Sequence, residues 1–283
     1  MTREKREAPD DKVTVPRLRS RKLAGEKVVA LTAYDYPSGL IADRAGVDVV
    51  LVGDSLANTA LGLENTLPVT LEEMLAALRA VRRGVRRALL VADMPFGSYH
   101  ADEGAAVEAA IAFVKAGAEA VKLEGGSRRA GLVERLVASE IPVMGHIGLT
   151  PQSVLRMGGY RVQGKSPEAA AGLLEDAVAL ESAGAFSLVI EGVPSHVAAD
   201  ITSRLEIPTI GIGAGPHCDG QILVFADLLG MLPGKKPRFA KKYLDFHALA
   251  LDAIAAYRRD VLAGTFPSPA ETYDVAVLSP FPR

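Results

Sequence analysis

The chain has 283 residues, 49% of them apolar, with 32 Lys and Arg against 34 Asp and Glu, a formal charge of −2 at pH 7. So nearly neutral a chain, with its basic residues dispersed, does not suit nucleic acid or an anionic membrane surface as main partner, and no apolar run approaches the ~18 residues of a membrane span. The lone cysteine, Cys218, excludes an internal disulfide and a cysteine-built zinc site, and without a signal peptide the expected location is the cytoplasm.

Residues 1–12 are densely charged and are expected to be a disordered tail; residues 13–283 read as one domain. Basic Thr14–Ala24 suits a short opening helix. Val28–Thr32 is the first strand, and Ser38–Ala45 a helix. The second strand is Val47–Val52, apolar and β-branched as a strand buried on both faces must be. It stops at Gly53, where a tight turn sets Asp54 and Ser55 at its end, and an irregular loop runs on to Pro68. Thr70 and Glu73 form a capping box that opens a helix to Arg83. The third strand, Ala88–Ala92, ends at Asp93; an Ala-rich helix spans Asp102–Ala116 and Gly117 closes it. The fourth strand is Ala120–Glu124, followed by a helix over Arg129–Ala138. The fifth, Pro142–Ile147, leads into Thr150-Pro151-Gln152-Ser153, and polar, Gly-rich 158–164 reads as a loop or lid. Helix Pro167–Ala183 precedes strand six, Phe186–Ile190, ending at Glu191-Gly192. Helix Val197–Arg204 precedes strand seven, Pro208–Ile212. Ile222–Phe225 is the expected eighth strand, and Phe246–Leu262 a closing helix.

Short apolar strands alternating with helices mean βαβ units and a parallel sheet. Seven or eight units over ~250 residues fit a single (β/α)8 barrel of the TIM type better than an open sheet. In such barrels reactive groups stand at the C-terminal ends of the strands. Here strands two to six end at Asp54, Asp93, Glu124, His146 and Glu191. Lys122 precedes Glu124 by two, so the alternation of a strand aims both at one face. Each could instead cap a helix or a turn, but the recurrence argues for a site. Neighbouring carboxylates repel and raise one another's pKa unless a cation lies among them. Oxygen donors without paired His or clustered Cys point to Mg²⁺ or Mn²⁺ rather than zinc. His146 is expected to shape the site, with a role as base the alternative; Tyr34 and Tyr160 are candidates for substrate contact or for packing. Gly211-Ile212-Gly213-Ala214-Gly215 looks like a dinucleotide fingerprint, but no helix evidently begins there; its amides could still meet an anionic group.

The segments Leu31-Thr32-Ala33-Tyr34-Asp35-Tyr36, Val52-Gly53-Asp54-Ser55-Leu56, Thr66-Leu67-Pro68-Val69-Thr70, Val121-Lys122-Leu123-Glu124-Gly125-Gly126, 145–153, 158–164, 210–215 and Asp219-Gly220-Gln221 together resemble ketopantoate hydroxymethyltransferases, in the order of that family. The resemblance spans about Val13 to Tyr273. It implies a (β/α)8 enzyme of pantothenate biosynthesis that moves a hydroxymethyl group from 5,10-methylenetetrahydrofolate to 3-methyl-2-oxobutanoate, through a Mg²⁺-stabilised enolate, to give 2-dehydropantoate. By motif, Asp54, Asp93 and Glu124 would hold Mg²⁺, and Asp54, Ser55, Asp93 and Lys122 the oxo acid. Glu191 would be the proton acceptor, and the chain would assemble as a homodecamer. The loop Leu63-Glu64-Asn65 departs from the family pattern and the N-terminal tail is longer. The rivals are a Mg²⁺-dependent enzyme like isocitrate lyase or phosphoenolpyruvate mutase, whose catalytic Cys motif is missing, and a non-catalytic metabolite-binding barrel, which would not need Lys122 and Glu191 together.

Overall fold

The computed structural model describes residues 11–234 and 237–273. Eight parallel strands close on themselves in sequence order: β1 (Val28–Thr32), β2 (Val49–Val52), β3 (Leu89–Asp93), β4 (Ala120–Glu124), β5 (Val143–Gly148), β6 (Ser187–Glu191), β7 (Thr209–Ile212) and β8 (Gly220–Leu223), the last pairing with β1. The helices in chain order are α1 (Val15–Ala24), α2 (Tyr36–Arg44), α3 (Leu56–Thr59), α4 (Leu71–Gly84), α5 (Glu103–Ala116), α6 (Ala130–Ala138), α7 (Val154–Met157), α8 (Pro167–Ser182), α9 (Ser195–Arg204), α10 (Phe225–Leu229) and α11 (Phe246–Ala263). The chain is a (β/α)8 barrel of the TIM type, as its alternation of elements requires. Among the described residues no helix is long and apolar enough to cross a membrane.

Strand periodicity divides the core in two. One side chain in two, among them Ala30, Leu51, Val91, Met144, Val189 and Ile210, fills the barrel interior; the alternate set, with Val50, Leu90, Val121 and Ile190, packs under the helices. Leu18 of α1 and Val13 join the interior group, so α1 covers the strand-start end. Its basic residues pair with acids that precede the strands: Arg21 Nη1 lies 2.9 Å from Asp48 Oδ2 and Lys22 Nζ 2.8 Å from Asp219 Oδ2. The expected tail lies mostly outside the described residues. Of its two described positions, Lys12 is held, its Nζ 2.6 Å from Glu119 Oε2 and donating to Ala88 O at 2.8 Å.

Local signals mostly landed within a residue or two. The capping box at α4 is present, Glu73 N donating to Thr70 Oγ1 and Thr70 N to Glu73 Oε2. Helix α2 begins at Tyr36, two residues before the expected start, because Asp35 is its N-cap and accepts from Ser38 N at 2.8 Å; Pro37 is tolerated in the first turn, where no intrahelical donor is needed. The loop after β2 contains α3, and a 3₁₀ turn, Ser127–Arg129, precedes α6. The eighth strand lies two residues earlier than expected, and Phe225 begins α10 instead. Its first residue, Gly220, carries no β-propensity, yet a Cβ there would stand 2.4 Å from Val28 O; close approach to β1 is what selects it.

If Leu18 closes the interior, Leu18→Ala leaves a hole under the barrel floor. The expected loss is about 2–5 kcal/mol, measurable as a lowered urea midpoint, with the strand-end chemistry unaffected.

Candidate active site

The strands deliver their last residues into one cavity of about 1260 Å³, lined among others by Asp54, Ser55, Asp93, Lys122, Glu124 and Glu191. Register explains the convergence. In parallel barrels paired residues face the same way, and Asp93 pairs with Lys122, Glu124 with His146, and Gly148 with Glu191. Gly148 has φ +91°, and a Cβ there would lie 2.2 Å from the Glu191 carbonyl oxygen; only glycine lets β5 turn away that close to Glu191. Asp54, Asp93, Lys122, Glu124 and His146 are all buried; Glu191 is half-buried.

Lys122 Nζ lies 2.7 Å from Asp93 Oδ1 and 3.9 Å from Glu124 Oε1. Burial pulls its pKa down, but Asp93, Glu124 and Asp54 push it up by more, so the ammonium stays charged. Burial holds the Asp54 carboxyl well above the usual carboxylate range, reinforced by the charges of Asp93 and Glu124. Asp93 is raised too, by burial, with Lys122 opposing. Burial also acts to raise Glu124, yet the net shift is downward through His146 and Lys122. Burial and Lys122 act to lower His146, but Glu124 and Glu191 raise it to about 9. Its Nδ1 stands 3.5 Å from Glu124 Oε1 and its Nε2 3.2 Å from Glu191 Oε2, so the ring bridges β4 and β6.

Among the described residues no group of three or more His, Cys, Asp or Glu side chains is gathered as a ready-made metal cage. The donor set nevertheless suits Mg²⁺, which takes one or two carboxylates and completes its shell with water and substrate oxygens. Asp54 N donates to Asp93 Oδ2 at 3.2 Å, which brings the ends of β2 and β3 together. The wholly buried Asp93 Oδ1 and Glu124 Oε1 accept no hydrogen bond of good geometry. Asp54, Asp93, Glu124 and Glu191 outnumber Lys122 and the His146 ring in charge, an excess that a divalent cation would offset.

The ketopantoate hydroxymethyltransferase family matches residues 12–269. The chain belongs to that family. It is 54% identical over 93% of its length to the 3-methyl-2-oxobutanoate hydroxymethyltransferase of Koribacter versatilis (89% of that protein), 53% over 94% to that of Carboxydothermus hydrogenoformans (97%), and 55% over 88% to that of Thermotoga maritima (92%). Solved structures of the same fold include a phosphonopyruvate hydrolase complex with oxalate and Mg²⁺ (TM-score 0.59, 14% identity, 92% of each chain) and a 2,3-dimethylmalate lyase of the PEP mutase/isocitrate lyase superfamily (TM-score 0.54, 17%, 93% of this chain and 91% of that one). At such identities the likeness is one of fold, and membership of the hydroxymethyltransferase family decides against the lyase or mutase rival.

Within this hydroxymethyltransferase fold, some residues take places that periodicity could not show. Tyr34 is not on the cavity wall; its hydroxyl accepts from Thr32 Oγ1 at 2.8 Å and lies 2.7 Å from Ser55 Oγ, so it holds Ser55. Tyr160 lines the cavity, as do Gly213 and Gly215, and no helix begins at the glycine cluster. In the divergent loop, Asn65 Oδ1 accepts from Leu67 N at 3.0 Å, forming the turn that sets Thr66 in the cavity wall, its Oγ1 without a partner among the described residues. Gln152 and Tyr99 carry no charge and end no strand; only the Thr150–Ser153 motif pointed near them.

Because folding raises the Asp54 pKa, its protonated form is favoured in the folded protein. In EDTA, the contribution of Asp54 to stability should be fully present below the ordinary carboxylate pKa of ~4 and be lost as pH rises through the folded value. Asp54→Asn should flatten that fall and raise the melting temperature at neutral pH, about 2–4 °C per kcal/mol relieved, while weakening Mg²⁺ binding. A melting curve series from pH 4 to 8 with and without Mg²⁺ checks both.

Proposed function

We propose that the chain transfers a hydroxymethyl group from 5,10-methylenetetrahydrofolate to 3-methyl-2-oxobutanoate, giving 2-dehydropantoate. The observation that carries this reading is Glu191: it stands on β6, apart from the Asp54, Asp93 and Lys122 group on β2 to β4, with Oε2 3.2 Å from His146 Nε2. An oxo acid held by one group thus presents its C3 hydrogen to the other.

In this reading Ser55 and Lys122, with Asp54 and Asp93, hold the oxo-acid oxygens. Asp54, Asp93 and Glu124 would hold Mg²⁺, which when bound would supply Lewis acidity toward the ketone and so acidify the C3 proton. Glu191 takes that proton. His146, with Nε2 3.2 Å from Glu191 Oε2, orients Glu191 rather than serving as the base itself. Lys122 offsets the charge that grows on the ketone oxygen. C3 then attacks the methylene carbon of the opened folate, and water releases the hydroxymethyl product.

Three further observations support the partners. A cavity of about 1260 Å³ exceeds the ~300–1,000 Å³ that holds a drug-sized ligand, so a small oxo acid leaves room for a pterin and its glutamate. Arg161 and Arg238 line it, and guanidinium forks suit carboxylates. Helix α11 has no buried residue and exposes Leu249, Ile254, Tyr257 and Val261, an apolar face that self-association would cover. The family resemblance implies the decamer, and the lone cysteine suits a reducing, cytoplasmic setting.

Glu191→Gln keeps size and most hydrogen bonding but accepts no proton. It should bind 3-methyl-2-oxobutanoate yet exchange its C3 hydrogen with solvent deuterium about 10²- to 10⁴-fold more slowly, read by NMR with folate omitted; exchange at the wild-type rate would assign the base elsewhere. Light scattering of the active protein should report an assembly far larger than one chain, and an active monomer at micromolar concentration would exclude the oligomer.

A further inference from the structure

Directly after β5, in the 3₁₀ turn Pro151–Ser153, the buried side chain of Gln152 reaches between strand ends. Its Nε2 donates to Asp54 Oδ2 and to Met94 O, each at 2.9 Å. Its Oε1 accepts from the Tyr99 hydroxyl at 2.6 Å, and that hydroxyl oxygen accepts from Glu124 N at 3.2 Å. The Gln152 backbone N donates to Glu124 Oε2 at 2.9 Å. Tyr99 is itself fixed, with Arg129 Cζ 5.0 Å from its ring centroid.

The donors and acceptors here permit one arrangement. A backbone carbonyl only accepts, so the NH₂ must face Met94 O, and the same nitrogen then meets Asp54; the amide cannot be flipped. Oε1 then requires a donor, which is Tyr99; the tyrosine oxygen is left to accept from Glu124 N. One residue therefore occupies Asp54 Oδ2 with its side chain and Glu124 Oε2 with its backbone. Glu124 Oε1 remains buried without a hydrogen bond of good geometry.

We propose that Gln152 is the positioning residue of the divalent-cation site: it selects which oxygen Asp54 and Glu124 present to the metal, and Tyr99 locks its amide in the orientation that does so. The inference rests on the reading of Asp54 and Glu124 as ligands. Partners that orient metal ligands typically govern affinity by about 10–100-fold, although neither Gln152 nor Tyr99 is a ligand.

The experiment titrates Mn²⁺ by EPR into the full chain without substrate, for wild type, Gln152→Met, Tyr99→Phe and the double variant. Gln152→Met fills the same space without hydrogen bonds and should weaken Mn²⁺ by about 10–100-fold; Tyr99→Phe, which removes one oxygen, should weaken it several-fold. Since Tyr99 acts through Gln152, its substitution should matter less in the Gln152→Met background than alone. A merely structural residue would instead lower stability while the folded fraction binds Mn²⁺ as before, and that result overturns the proposal. Should Gln152→Met fail to fold, unchanged Mn²⁺ affinity in Tyr99→Phe overturns it alone. A wild-type chain that binds no Mn²⁺ removes the ligand reading and this inference with it, whereas wild-type binding with an unaffected Gln152→Met removes only the inference.

Discussion

The site depends on a lysine ammonium buried among carboxylates. Removing Lys122 from water is costly, and a buried charge survives only if opposite charges meet it at short range. Asp93 does so at 2.7 Å, with Glu124 and Asp54 adding to the field that keeps Lys122 protonated. The dependence runs the other way as well: with no ammonium there, three buried carboxylates on neighbouring strands would repel one another in a medium that screens poorly. Strand pairing holds the groups at these distances, and the low exposure that makes the arrangement expensive also makes it strong.

The two ends of the barrel use charge differently. At the strand-start end, Arg21 with Asp48, Lys22 with Asp219 and Lys12 with Glu119 pair basic residues of the opening segment with acids that precede the strands, which fastens the floor. At the strand-end side the acids exceed the bases, and the Asp54 carboxyl is kept well above its ordinary pKa by burial and its neighbours. Stability is concentrated at one face and unrelieved charge at the other, the division expected of a (β/α)8 barrel. Barrels with 14–17% identity share the frame, so what distinguishes this chain is the set of side chains on the strand ends rather than the frame itself.

The strand-end cluster and the wider cavity also separate by chemistry. The charged groups sit at the base, fixed by strands, while Tyr160, Arg161 and Arg238 come from loops. Loops tolerate variation that strand ends do not. The divergent Leu63-Glu64-Asn65 segment fits this pattern: Asn65 makes its own turn, and Thr66 still reaches the cavity wall.

By itself, the sequence determined the alternation of strands and helices, the barrel that follows from it, and the acids, lysine and histidine at the ends of β2 to β6. Those are one-dimensional signals: a period of two, a cap, a glycine where a strand must stop. It placed β8 two residues late, because Gly220 is chosen by its approach to Val28 across the closing seam, a contact between residues far apart in the chain. The tertiary structure alone decided that Tyr34 holds Ser55 instead of facing substrate, that His146 joins Glu124 to Glu191, and that Gln152 links Asp54, Met94 and Tyr99. An uncharged side chain in a loop has no period and no composition to mark it. Its role exists only in the directions of its hydrogen bonds, which closure of the barrel brings into being.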